Sequence, residues 1–175
     1  MSRHPHRVGR CLHPLRRRAQ RLAGFTLMEL VVAMALLGVL AMVAMPMAEL
    51  SWQRQREAQL RTALREIRTA IDAYKQAAEA GLIARTPGDT GYPPSLAVLE
   101  QGVRNQKDPK AGVLVFLRRV PRDPFAADTT ATADQTWATR AYGSAPNDPR
   151  EGRDVFDVAS RSSRVGLNGI ALREW

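Results

Sequence analysis

The sequence predicts an α+β chain: one long N-terminal helix, apolar and membrane-spanning in its first half, packed through its second half on a small antiparallel sheet. Three observations predict it. Residues 25–47 form an apolar run with a single charge, Glu29. After that run, Leu60, Leu64, Ile67, Ile71, Tyr74 and Ala78 recur at steps of 4, 3, 4, 3 and 4 residues, the spacing of one helix face. Beyond residue 85, short apolar segments alternate with Pro-, Gly- and Asp-containing turns, the pattern of a short helix and a few strands.

The chain has 175 residues and a formal net charge of +9, enough length for one modest domain with a core. The charge is concentrated at the start. Residues 1–24 hold Arg3, Arg7, Arg10, Arg16, Arg17, Arg18 and Arg21 and no acid, which leaves +2 for the rest. The high pI therefore gives no ground for a nucleic-acid partner outside this segment. His4, His6, His13 and Cys11, all the histidine and cysteine of the chain, lie there too. If residues 1–24 are removed as a basic leader, the remainder has no means of forming disulfides, Cys/His zinc sites or histidine-based catalysis.

The 23 residues from 25 to 47 span about 35 Å as a helix, enough to cross a bilayer core of about 30 Å. The Arg-rich flank precedes the span. The positive-inside rule then keeps the N-terminus in the cytoplasm and places residues 48–175 on the far side as a single-pass body. An ordinary anchor fits these facts. A cleaved secretory signal does not, because its apolar region runs only about 7–15 residues and ends at a small-x-small site. The far end of this run is Met45-Pro46-Met47.

Glu29 is the informative residue. A carboxylate inside an apolar span costs up to ~3 kcal/mol at mid-membrane and usually serves a function. By position alone Glu29 reads equally well as a first-turn residue, where the helix dipole favours an anion. Its neighbours add to this. Gly24-Phe25-Thr26-Leu27-Met28-Glu29 behind a basic leader resembles the type IV prepilin motif. The resemblance implies cleavage between Gly24 and Phe25 by a prepilin peptidase and N-methylation of Phe25. It also implies an assembly role for Glu29, which would meet the freed amino group of Phe25 on a neighbouring subunit. At 24 residues the leader is long for that motif, which leaves an early start or an extended basic tail as the two readings.

Pro46 falls near the end of the span and removes one backbone hydrogen bond, so a kink or local melting is expected there. A proline at this place also resembles pilins. The long helix is expected from about residue 25 to 80, with Gly81 as its stop and the Leu60–Ala78 face as core. Residues 86–94 read as a loop, Ser95 as the N-cap of a short helix over residues 96–101, and residues 105–112 as a second polar loop. Residues 113–117 are a short apolar run, followed by Pro121-Arg122-Asp123-Pro124-Phe125. Residues 128–135 are expected as a surface loop. Residues 137–142 and 155–159 read as two strands joined through residues 146–152. Trp175 is expected to pack back on the body.

This order of elements, closed by a terminal Trp, resembles the major pseudopilin of type II secretion systems. Ordinary type IV pilins commonly close their C-terminal region with a disulfide, and the lack of Cys after Cys11 favours the pseudopilin branch. The resemblance implies a pilin-like fold and a structural subunit that polymerises through its N-terminal helix into a periplasmic pseudopilus. It implies as partners further copies of the chain, other pseudopilins, prepilin peptidase and an inner-membrane assembly platform. The localisation implied is the bacterial inner membrane, with a periplasmic body. Major pseudopilins bind calcium in a C-terminal loop, but residues 160–166 read Ser-Arg-Ser-Ser-Arg-Val-Gly. Arginines stand where about six to eight oxygen ligands are needed. No cofactor is expected, and Asp154 and Asp157 are the only calcium candidates. Their simpler reading is solvent exposure or pairing with Arg153 or Arg161.

An enzyme is not expected. The lysines are Lys75, Lys107 and Lys110, and no Ser sits in a nucleophile turn. There is no phosphate-binding Gly loop, and Gly38 is a weak helix-packing cue. The alternatives to a shaft subunit are a minor pilin-like subunit and a membrane-anchored adaptor that never polymerises.

Overall fold

The computed structural model describes residues 25–110 and 112–175. The expected leader, including Gly24, lies outside them. The fold is α+β, in the order α1 (Leu27–Glu79), α2 (Leu96–Gln101), β1 (Val103–Arg104), β2 (Val113–Leu114), β3 (Trp137–Arg140) and β4 (Asp157–Ser160). Short 3-10 turns occupy Asp134–Thr136 and Leu172–Glu174. Two compact units divide the chain, Met1–Ala44 and Met45–Trp175.

In the first unit, α1 starts two residues later than the expected start at Phe25, because Thr26 serves as its cap. The Thr26 hydroxyl accepts from the Glu29 N–H at 3.2 Å. The Thr26 carbonyl accepts the first helical bond, from Leu30 N–H at 3.1 Å. A Thr cap satisfies one of the N–H groups that a helix start leaves unpaired.

In the second unit the helical backbone runs through position 46, so the expected local melting at Pro46 does not occur. The helix ends one residue before the expected Ala80. Its stop is the expected Gly81, at φ 70°. Gly81 N–H donates to Ala78 O at 3.1 Å and Leu82 N–H to Ala77 O at 2.9 Å, the paired bonds of a Schellman motif. The six residues of the expected stripe are all buried: Leu60, Leu64, Ile67, Ile71, Tyr74 and Ala78. They form the core with Leu96 and Leu99 of α2, Leu117, Val120, Trp137, Val158 and Leu172.

The expected single sheet is two separate two-stranded antiparallel sheets. β1 matches no strand pattern in the sequence. It pairs with β2 as Val103↔Leu114 and Arg104↔Val113. The expected apolar run 113–117 is strand only at its first two residues. Phe116 and Leu117 N–H instead donate to Leu99 O at 3.1 and 3.0 Å, which ties the run to α2. Gly102, at φ 79°, turns the chain between α2 and β1. A side chain there would meet Val113 Cγ1 at 2.6 Å and Leu114 O at 2.9 Å. Ser95 holds the N-cap position with extended backbone but makes no side-chain cap bond.

The second hairpin pairs Trp137↔Ser160, Ala138↔Ala159, Thr139↔Val158 and Arg140↔Asp157. β3 begins at the expected residue 137 but ends two residues before the expected 142, and β4 is shifted from the expected 155–159. Tyr142 N–H leaves the ladder to donate to the Asp154 carboxylate at 3.0 Å, and Val155 N–H goes to Pro93 O at 2.8 Å. The fully buried Trp137 donates its indole N–H to Pro121 O at 2.8 Å. That bond anchors the 121–125 segment on the hairpin.

Candidate functional site

The N-terminal end of the described chain is defined by what it leaves uncovered. Every described side chain from 25 to 52 is exposed, including Phe25 at 81 % and Leu27 at 83 %. A helix apolar all round is stable only when something else surrounds it. α1 is the single helix among the described residues long and apolar enough to cross a membrane. Glu29 lies in its first turn, where its backbone serves the Thr26 cap. That pairing was legible as Thr-x-x-Glu ahead of an apolar run, a signal the family motif overshadowed. A Cβ on Gly38 would meet nothing within 4 Å, so packing within the chain does not require glycine there.

In the body, two further acids, Glu57 and Asp123, carry structural duties. Glu57 is 4 % exposed, and its Oε1 accepts from Leu167 N–H at 2.8 Å and from Gln53 Nε2 at 3.1 Å. The helix spacing had marked Leu60 but not this residue one turn earlier. Asp123, 2 % exposed, accepts from Ser160 Oγ at 2.6 Å and Phe125 N–H at 2.8 Å. Its own N–H donates to Thr136 Oγ1 at 3.2 Å, and Ala126 N–H donates to its carbonyl at 3.1 Å. Asp followed by Pro is the expected chemistry for such a turn. Here it also fastens the turn to β4.

The two calcium candidates do not converge. Asp154 is buried and accepts from the Thr90 hydroxyl and Tyr142 N–H. Asp157 binds Arg68 Nε at 2.8 Å and Arg140 Nη2 at 3.5 Å. The expected pairing with Arg153 or Arg161 is corrected: Arg153 donates to Gly88 O at 2.9 Å and Arg161 pairs with Glu151 at 2.9 Å. The reason is reach across the fold, because Arg68 on α1 faces β4. Among the described residues no group of three or more His, Cys, Asp or Glu is placed to hold a metal ion.

Elsewhere the surface carries modest electrostatic features. An open groove of about 850 Å³ is lined by Glu66, Glu100, Arg119 and Arg122, with residues 130–134 along one side. Arg122 pins that side by donating to the carbonyls of Ala131 and Asp128. The Thr130 hydroxyl and N–H hold the Asp128 carboxyl below its ordinary value. Burial raises the Tyr74 hydroxyl pKa, and the Asp89 charge adds to the effect. Burial also raises Tyr92, against an opposing pull from Lys75. None of these places sets a nucleophile beside a base.

Comparison with known proteins finds one family match, the prokaryotic N-terminal methylation motif, over residues 20–45. No curated protein and no solved structure matches the chain. The matched segment contains Gly24, Phe25 and Glu29 and ends one residue before Pro46.

Proposed function

With a prepilin-type methylation motif at residues 20–45 as premise, we propose that this protein is a structural subunit of a pseudopilus that supports protein secretion across the outer membrane. Prepilin peptidase removes residues 1–24, and the new N-terminus at Phe25 is methylated. The apolar half of α1 holds the subunit in the inner membrane, with the body in the periplasm. It then polymerises with further copies and other pseudopilins on an inner-membrane platform. Glu29 of one subunit pairs with the Phe25 amino group of the next, since a buried cation and a buried anion are each tolerable when they meet. Pro46 marks the outward end of the polymerising segment. The subunit catalyses nothing and takes no metal.

The observation that carries this reading is the matched motif on a helix whose described side chains are exposed from 25 to 52. A plain anchor accounts for the apolar residues but not for Gly24 and Glu29 at this spacing. The test is mass spectrometry of the membrane-extracted chain, from cells with and without prepilin peptidase. An N-methyl-Phe25 terminus that depends on the peptidase is the expected result. A mature chain that still carries Cys11 in peptidase-positive cells would sink the proposal.

A further inference from the structure

We infer that Trp52, Arg54 and Arg56 form a docking surface for the phospholipid headgroup layer, which sets the depth of the helix in the membrane. The inference rests on the membrane-anchored reading of α1 and adds the ligand class and residues at its outer end. Three observations carry it. Trp52 is 68 % exposed on α1, and among the described residues it makes no hydrogen bond and no aromatic contact. Arg54 and Arg56 are exposed too, and no ion pair or hydrogen bond among the described residues engages either. Burial of α1 against the body begins one residue later, at Glu57.

The distances fit the headgroup layer. Trp52 stands five residues beyond Met47, the end of the apolar run, which is about 7.5 Å of helix. Headgroups add roughly 5–8 Å on each side of the hydrocarbon core. Trp52 therefore falls in the interfacial layer, where Trp is enriched because its ring is apolar and its N–H seeks a wet partner. Arg54 and Arg56 follow at about 10 and 13 Å, and their long side chains reach back toward lipid phosphates. Arg56 is four residues from Trp52 and shares its helix face, while Arg54 points elsewhere, so guanidinium groups flank the helix. Glu49 is the one acid between Met47 and Arg56, which leaves this stretch net positive toward phosphate.

The full chain in phosphatidylethanolamine–phosphatidylglycerol vesicles tests this, using lipids brominated high on the acyl chain or near its end. Tryptophan emission of the wild type should be quenched most by the shallow bromines, and Trp52→Phe should remove that quenching. Trp137 and Trp175, which belong to the body, supply the unquenched remainder. Arg54→Glu/Arg56→Glu should reduce the shallow quenching at least twofold. Protein that floats with the vesicles but shows equal quenching in wild type and Trp52→Phe overturns the inference while the anchor reading stands. Protein that does not float overturns both. Unchanged quenching in the double arginine variant overturns the part assigned to the arginines.

Discussion

Arg68 Nε on α1 donates to Asp157 Oδ1 on β4 at 2.8 Å, across 89 residues of sequence. The same guanidinium donates through Nη2 to Val158 O at 3.0 Å and to Trp175 O at 2.8 Å. One side chain thus joins the long helix, the second hairpin and the last residue. The pair is about a third exposed, so the ion pair alone contributes no more than about 1 kcal/mol. The two further bonds need the planar fork, which Lys lacks. Arg68→Lys should therefore destabilise the full chain in detergent nearly as much as Arg68→Ala, by about 1–3 kcal/mol. Thermal denaturation followed by circular dichroism measures it, and a Lys variant as stable as wild type would remove the role given to the fork.

Glu57 should be intolerant of truncation for a different reason. Its Oε1 is the acceptor for Leu167 N–H, so Glu57→Ala leaves that donor unpaired, at a cost of about 1–3 kcal/mol. Glu57→Gln keeps a carbonyl oxygen in place and should lose clearly less. Paired melting curves check this, and equal losses for Ala and Gln would show that hydrogen bonding at this site is not what matters.

Glu29 should matter for assembly and not for insertion. Glu29→Leu removes a costly charge from the apolar span and leaves the Thr26 cap intact, because the cap uses the backbone N–H. The variant should insert at least as well as wild type yet lose crosslinking between neighbouring N-terminal helices. An unpaired amino group in an apolar bundle costs several kcal/mol, on the order of 3–5. Equal crosslinking and equal secretion activity in both proteins would favour the non-polymerising adaptor.

Alkaline pH should weaken the body through its tyrosines. Tyr74 is raised above its ordinary 10.0, first by burial and then by the Asp89 charge, and Tyr92 is raised mainly by burial. A raised value means the unfolded chain releases the proton first. The stability these groups contribute is full below pH 10 and is lost as pH rises through their folded values. Tyr74→Phe should reduce the steepness of that loss and change neutral-pH stability little, since none of the hydrogen bonds found among the described residues uses the Tyr74 hydroxyl. Melting temperatures between about pH 8 and pH 11, from roughly two units below to roughly one unit above the ordinary tyrosine value, provide the readout. An unchanged slope in Tyr74→Phe would exclude Tyr74 as a source.

Periodic and local features were determined by the sequence alone. A helix face repeats every three to four residues, so Leu60 to Ala78 announced the core. Gly81 announced the helix stop because only glycine adopts its φ without strain, and Ser95 marked the start of Leu96–Gln101, although its side chain makes no cap bond there. The Gly24, Phe25 and Glu29 spacing was equally legible, since a processing signal is read from a linear segment. Tertiary structure decided what depends on contacts between distant residues. Asp157 was expected to be solvent-exposed or paired with Arg153 or Arg161, and it is held by Arg68 and Arg140. Asp154 is buried under Thr90 and Tyr142, and Glu57 accepts from Leu167, 110 residues away. Two-residue strands such as β1 carry no period to detect, and they exist only because a partner's backbone is brought alongside. A charged side chain's partner is chosen by which elements pack together, and that choice is made by the apolar core rather than by the charges themselves.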